Sequence, residues 1–562
     1  MSTPIDGAPP LTSAPDAALM FPVLSAAQMS RVAAHGRRRP ITRGEVLIEP
    51  GQTDVPFLVV ETGAIEVVRP SILGDLVIAV IEGCGRFTGE ASMLLGRPAM
   101  RRVRVGESGV AIQLTRDQMH TLIQTDAEVG DVVMAAFVRR RMEIVAQGIG
   151  DAVLVGSARS AATLRIKAFL ARNGHPFTYL DVDVEAEALE VLARLGVDPS
   201  EIPVLVCRDD VVLRNPGNET VADRLGFNVR IDRERLRDLV IVGAGPAGLA
   251  AAVYAACEGL DVLVIEARSP GGQAGTSSRI ENYLGFPSGV SGQELAARAQ
   301  LQAQKFGASV LVAKSAAALT GDGTTYGVTL DDGVTIQART VLIATGARYR
   351  RPALENLQRF DGAGVYYNAT STEEAQIDDG EEVVVVGGAN SAGQAAVYLS
   401  RRARCVHMLV RSEATMSRYL ARRIEESPNI QLRTGTEIVA LDGNERLECV
   451  RWRDATGAIS AHAVRHVFMM TGAEPNTEWL TGCVALDPKG FVKTGPDLTV
   501  GDLATARWPL ARQPHMLETS LPGVFAVGDV RCGSFKRVGA AVGEASIGVP
   551  FVHRVLAERA PG

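Results

Sequence analysis

The sequence predicts a multidomain chain of mixed class: an N-terminal β-roll, a small α/β unit behind it, and two Rossmann-like three-layer α/β folds. Three observations predict it. Residues 239–256 and 382–400 each read as an apolar strand, a glycine turn and a helix, the opening of a parallel three-layer unit. Residues 151–228 alternate strand, helix, strand, helix, strand on a smaller scale. Residues 21–147 carry short β-rich runs punctuated by Gly and Pro, the texture of an antiparallel sandwich or roll. With 562 residues, 46% hydrophobic and 22% charged, the chain is long enough for three or four domains and has a globular balance.

Residues 1–20, rich in Pro, Ala and Ser, are expected to be a disordered tail. The roll occupies 21–149, with EVLIEPG (45–51), FLVVETGAIEVV (57–68) and LVIAVIEG (76–83) as strands and a closing helix over 127–145. The unit at 150–229 runs through VLVG (153–156), FTYLDVD (177–183) and IPVLVC (202–207), with helices near 163–172 and 185–195. A charged link, RIDRERLRD (230–238), leads into the first large fold. Leu239 to Cys257 is uncharged throughout, but Gly243, Gly245, Pro246 and Gly248 near its start make it a strand, turn and buried helix. No membrane span is expected. A net charge of -6 and 5% aromatics exclude a general nucleic-acid binder. The seven cysteines (Cys84, Cys207, Cys257, Cys405, Cys449, Cys483, Cys532) contain no CxxC. That excludes a zinc ribbon and a local redox dithiol, and suits a cytoplasmic protein. The first residues, acidic and Pro-rich, do not read as a signal peptide.

The first glycine turn is GAGPAG (243–248). Gly243 makes the turn, Gly245 lets a pyrophosphate approach the backbone, and Gly248 lets helix and strand pack closely; Pro246 and Ala247 open the helix whose N-terminus faces the anion. The next strand ends in Glu266, 23 residues after Gly243, where an acid should hold a ribose hydroxyl pair. The second turn is GGANSA (387–392). Gly387 opens it, Asn390 and Ser391 lead into the helix, and Ala392 takes the close-packing position, with Ala389 in place of the middle glycine. The following strand ends at Arg411 rather than at an acid, which fits a 2′-phosphate and favours NADPH over NADH; Arg418 is a second candidate contact. Two dinucleotide sites in one chain imply hydride traffic between a nicotinamide and a second cofactor.

Residues 236–562 resemble the low-molecular-weight thioredoxin reductases throughout. GAGPAG, GGQAG (271–275), IENYLGFP (280–287), IATGA (343–347), the second glycine turn, FAVGDV (525–530) and RVGAAVGEASIG (537–548) occur in order. The resemblance implies a discontinuous FAD domain, 236–352 and 485–562, around an NAD(P)H domain at 353–484. It implies that Gly272, Gln273 and Asn282 contact the isoalloxazine and ribityl region, and that Thr345 and Gly346 line the following turn. Gly528 and Asp529 would hold the ribityl hydroxyls, and Arg537 and Val538 would meet the pyrimidine edge. The family's C-A-T-C motif corresponds to GVYYNATSTEEAQ (364–376), where Asn368 and Ser371 stand at the cysteine positions. A flavin reduces a disulfide only through a thiolate, so the disulfide-reductase step is not expected to carry over.

The front segments resemble two further families. RIKAFLARNGHPFTYLDVD (165–183) and Ile202-Pro203 are similar to glutaredoxin-like thioredoxin folds, with Ser157 and Ser160 in the turn that would hold the redox cysteines. FPVLS (21–25), RGEVLIEPG (43–51), Gly63 and Thr88-Gly89-Glu90 resemble the cyclic-nucleotide-binding roll. There Gly89 and Glu90 would meet the ribose, but Ala99 sits where the phosphate-binding arginine belongs, with Arg101 and Arg102 displaced. The expected function is a cytoplasmic, homodimeric FAD oxidoreductase. It takes electrons from NADPH to an external acceptor: a quinone, a small redox protein or oxygen. Cofactor residues are named and no catalytic side chain or metal is expected. The alternative is a regulatory flavoprotein that senses a cyclic nucleotide or other small ligand through its roll.

Overall fold

The computed structural model describes residues 11–559 except 14–16, 70–75, 90–92, 94–98, 100, 147–151, 159, 208–210, 229–231, 278–279, 281–282, 361–362, 368, 370–373, 375–376, 379 and 445. Glu90, Asn282, Asn368 and Ser371 therefore lie outside the described residues. The chain forms two compact units: residues 1–346, 477–487 and 492–562, and residues 347–476 with 488–491. Among the described residues no helix is long and apolar enough to cross a membrane.

The first unit opens with an antiparallel sheet of Arg37–Ile41, Val46–Ile48, Phe57–Arg69, Leu76–Glu82 and Arg102–Leu114. Val103 and Val105 are buried while Arg102 and Arg104 lie half-exposed on the other face, the alternation of a sheet with one packed side. Pro40 sits in the edge strand Arg37–Ile41, where its missing N–H costs least. Phe57, Phe87 and Phe137 pack around one another inside, with centroids 5.5 to 6.4 Å apart. Leu11 and Met20 are buried in the same core. Part of the stretch expected to be a loose tail is thus held by its apolar side chains.

Next, Val153–Gly156 pairs in parallel with Thr178–Asp181 and antiparallel with Val204–Val206, which pairs antiparallel with Val212–Arg214. The Ala161–Arg172 helix starts at Ser160, whose hydroxyl accepts from Thr163 N. This module and the first large fold share one hydrophobic core. Leu154, Ile166, Phe169 and Phe227 belong to the same buried cluster as Leu239, Ile241, Val264 and Val310. Asn228 clasps the backbone of Val312 both ways, accepting from its N–H at 2.8 Å and donating to its carbonyl at 3.1 Å. Lys314 pairs with Glu219 and Asp332.

The first large fold has parallel strands in the order Ser309–Val312, Val262–Glu266, Arg237–Val242 and Thr335–Ile343, with Val524–Ala526 pairing the last. Leu239 and Ile241 face one core layer, Val240 and Val242 the other, as period-two alternation in a doubly covered sheet requires. The second unit repeats the plan with Val365–Tyr366, His466–Met469, Glu382–Val386, Cys405–Val410 and Ile430–Thr434, all parallel. A three-stranded antiparallel sheet, Glu437–Gly443, Leu447–Arg453 and Ile459–His462, completes it.

Candidate cofactor sites

The first cradle forms where Arg237–Val242 gives way to the Pro246–Cys257 helix. Gly243 has φ +106, and a Cβ there would lie 2.3 Å from the Ala344 carbonyl oxygen. A Cβ at Gly248 would lie 1.8 Å from Gly243 O. Both are glycine for the chain's own packing. Gly245 differs: its φ of -71 suits any residue, and among the described residues, its chain neighbours aside, the nearest atom to a Cβ is Gly272 Cα, at 3.9 Å. Among the described residues nothing demands the missing side chain, so the cleared space fits a phosphate against the helix N-terminus. Pro246 costs no hydrogen bond at the first helical position, and Ala247 is buried.

Glu266 ends its strand beside this turn, only 8% exposed. Its carboxylate accepts from Ala244 N at 2.7 Å and Arg268 N at 2.9 Å. Burial pushes its pKa up, against the pull of those backbone donors. Gly272, with φ +54, brings the 271–275 loop to the turn: a Cβ on it would lie 3.0 Å from Gly245 Cα. Gln273 is exposed, and Thr345 and Gly346 are half-buried at the end of Thr335–Ile343. At the Gly528–Val530 turn, Gly528 N donates to Glu544 at 2.7 Å, and Arg531 pairs with the same carboxylate at 2.7 Å. The half-buried Asp529 carboxyl accepts no hydrogen bond from any described residue, and burial pushes its pKa up. An acceptor with no hydrogen-bond donor among the described residues fits a ligand's hydroxyls. Exposed Arg537 precedes half-buried Val538, the first residue of the Val538–Arg559 helix.

In the second unit, a Cβ on Gly387 (φ +139) would lie 2.4 Å from Met470 O and 3.1 Å from Ala392 Cβ, and Ala392 is fully buried. The exposed Ala389 caps the Asn390–Leu399 helix with extended backbone. The Asn390 side chain accepts from Ser417 N at 2.7 Å, tying the turn to the segment after Arg411. Ser391 is exposed. Arg411, just past Cys405–Val410, and Arg418, first in the Arg418–Glu425 helix, are both exposed, and neither makes an ion pair or hydrogen bond among the described residues. Arg422, one turn on, is instead paired with Glu426 at 2.8 Å.

In the roll, Gly89 (φ +99) lies where a Cβ would be 3.0 Å from Phe137, and Thr88 is buried with its hydroxyl accepting from Leu58 N. The two arginines displaced from the phosphate-binding position part company at the start of the Arg102–Leu114 strand. Arg101 is buried, 8% exposed, whereas Arg102 turns outward to Glu49. Sequence reasoning missed Glu544, which clamps the Gly528 turn; an acid six residues into a helix carries no signal until the turn it reaches is known. None of the seven cysteines, all described, is in a disulfide.

Two glycine cradles at the ends of parallel strands, one beside a buried acid and one beside arginines unpaired among the described residues, fit an oxidoreductase that binds two dinucleotides. Residues 237–545 match the family model described as "Pyridine nucleotide-disulphide oxidoreductase". The chain belongs to that family. Residues 38–126 match the model of the cyclic nucleotide-binding domain. The thioredoxin reductase of Mycolicibacterium smegmatis is 33% identical over 328 residues, covering 58% of this chain and 98% of that protein. The bifunctional thioredoxin reductase/thioredoxin of Mycobacterium leprae is 31% identical over 329 residues, covering 58% and 67%. A crystal structure of thioredoxin reductase from Streptococcus pyogenes covers 57% of this chain and 99% of its own, with 29% identity and a TM-score of 0.48.

Proposed function

We propose that the protein is an FAD-dependent NADPH oxidoreductase that delivers electrons to an acceptor outside the chain, without an internal dithiol. Thioredoxin reductases of this family use FAD and NADPH. FAD, when bound, supplies two-electron acceptance from a hydride donor and release to an acceptor. The observation that carries the reading is the cleared space at Gly245, together with the buried Glu266 and an Asp529 carboxyl that accepts no hydrogen bond from the described residues. Gly243 to Gly248 would hold the pyrophosphate, Glu266 the ribose, and Asp529 the ribityl hydroxyls. Gly272, Gln273, Asn282, Thr345, Gly346, Gly528, Arg537 and Val538 would surround the ring system. Gly387, Asn390, Ser391 and Ala392 would seat NADPH, with Arg411 and Arg418 on its 2′-phosphate. Asn368 and Ser371 at the family's cysteine positions argue against an internal disulfide step. The domain limits 21–149, 150–229, 236–352 with 485–562, and 353–484 fit this division of labour, with 150–229 a glutaredoxin-like module lacking thiols.

The cyclic nucleotide-binding match at 38–126 favours a second, compatible reading, in which a small ligand in the roll regulates the flavin. Anaerobic titration of purified protein with NADPH tests the first: the flavin should bleach, and a quinone or redox protein should restore its colour. A protein that holds FAD yet is never reduced by NADPH would refute the electron-transfer reading and leave the sensor reading standing.

A further inference from the structure

The Ala127–Ala146 helix carries a buried arginine that the cofactor sites do not use. Arg140 is 4% exposed. Its Nε donates to Met20 O at 2.7 Å, Nη1 to Gly89 O at 2.8 Å and Nη2 to Phe87 O at 3.1 Å. The guanidinium lies over Phe21 at 4.5 Å and Phe87 at 4.9 Å. It cannot shed its charge. If the 87–89 segment moves, the helix must follow or leave a buried charge short of acceptors. Gly89 is followed directly by Glu90, the candidate ribose contact.

Another face of the same helix meets the first dinucleotide fold. Met134 and Val138, one turn apart, pack against the buried Leu301. At about 100° per residue they point roughly 120–160° away from Arg140 around the helix. Leu301 belongs to the Gly292–Lys305 helix, whose other end is packed tightly onto the 271–275 loop. A Cβ on Gly292 would lie 1.7 Å from Ala274 O, and a Cβ on Gly271 would lie 2.8 Å from Ala296 Cβ. That loop in turn meets Gly245 through Gly272. From Gly89 to the pyrophosphate turn, every link is a hydrogen bond or a packed contact.

We propose that the Ala127–Ala146 helix couples the ligand-side turn of the roll to the flavin-side loop at 271–275, so that occupancy of one changes the hold on the other. The proposal deepens the reading of the first fold as an FAD cradle and rests on it. Spatial continuity is not coupling, so the test is a double-mutant cycle on the full chain, read by hydrogen–deuterium exchange and FAD titration. Arg140→Lys keeps the charge but loses the fork of donors. It should speed exchange at 85–89 and also at 271–277 by about threefold or more, and weaken FAD about threefold to tenfold. Val138→Ala should leave exchange at 85–89 unchanged and, combined with Arg140→Lys, abolish that variant's effect at 271–277. Should Arg140→Lys cost the roll its fold, Phe21→Leu, which removes one ring beneath the guanidinium, takes its place in the cycle. Faster exchange confined to 85–89 with unchanged FAD affinity, or strictly additive effects in the double variant, would overturn the proposal. Wild-type protein that binds no FAD would sink the cradle reading alone, because exchange at 271–277 still reports the coupling.

Discussion

Gly245→Ala separates a glycine required by the fold from one cleared for a ligand. The backbone at 245, φ -71 and ψ -176, is open to alanine. Among the described residues, its chain neighbours aside, the added methyl would meet no atom closer than Gly272 Cα at 3.9 Å. Apo protein should therefore keep its stability or gain about 0.4–1 kcal/mol, because alanine has fewer unfolded conformations to lose. The same methyl occupies the space proposed for the pyrophosphate. Loss of one charge-assisted backbone contact is worth about 1.5–3 kcal/mol, so FAD should bind roughly tenfold to a hundredfold more weakly. Gly245→Val should abolish flavin retention. Gly248→Ala is the control: its methyl would lie 1.8 Å from Gly243 O, and such overpacking costs about 1–3 kcal/mol of stability with or without ligand. Thermal melts of apo protein and fluorescence titration with FAD measure both effects. Wild-type FAD affinity in Gly245→Ala, or an apo melting loss equal to that of Gly248→Ala, would refute the reasoning.

Arg411→Ala should raise KM for NADPH by about tenfold or more while barely touching NADH, because one charge-assisted phosphate contact is lost; equal effects on both nucleotides would remove Arg411 from the 2′-phosphate. Reductive titration should consume about two electrons per flavin with no thiolate–flavin charge-transfer band. Alkylating all seven cysteines should leave NADPH-to-quinone turnover largely intact, whereas uptake of four electrons would reveal a dithiol built from distant positions. Glu266 and Asp529 both have folded pKa values raised by burial, so the apo fold holds extra protons and these groups cost it stability as pH rises from the ordinary carboxylate range through the raised values. Ligand hydroxyls favour the ionised forms, so FAD affinity should rise with pH across that window, measured by titration from about pH 5 to about pH 8; a flat or inverted profile would deny these carboxyls a role in FAD binding.

Both glycine turns were legible because their spacing combines with flanking strand and helix patterns that few other structures need. The Cys405–Val410 strand lies where the apolar run placed it. The roll was less legible around Arg101 and Arg102. Arg102 opens a strand running to Leu114, and its alternating charged side chains mask the buried Val103 and Val105. That alternation also decides which arginine goes inside, which composition alone does not reveal. The small module could be read as alternating strands and helices, but not its attachment. Asn228 and Glu219 look like ordinary loop and helix-surface residues until Val312 and Lys314 are brought to them.

The merged core of that module and the first dinucleotide fold has a consequence for the gene as well as for the protein. A chain trimmed to the stretch it shares with its relatives would begin near Arg237 and strip Phe169 and Phe227 from the buried cluster that also holds Val310 and Val312. Selection can change the module's exposed residues without harming its neighbour's packing, but it cannot delete the module without opening that neighbour to water. An accessory joined through such a seam becomes a permanent tenant, held by the surface it covers whatever else it does.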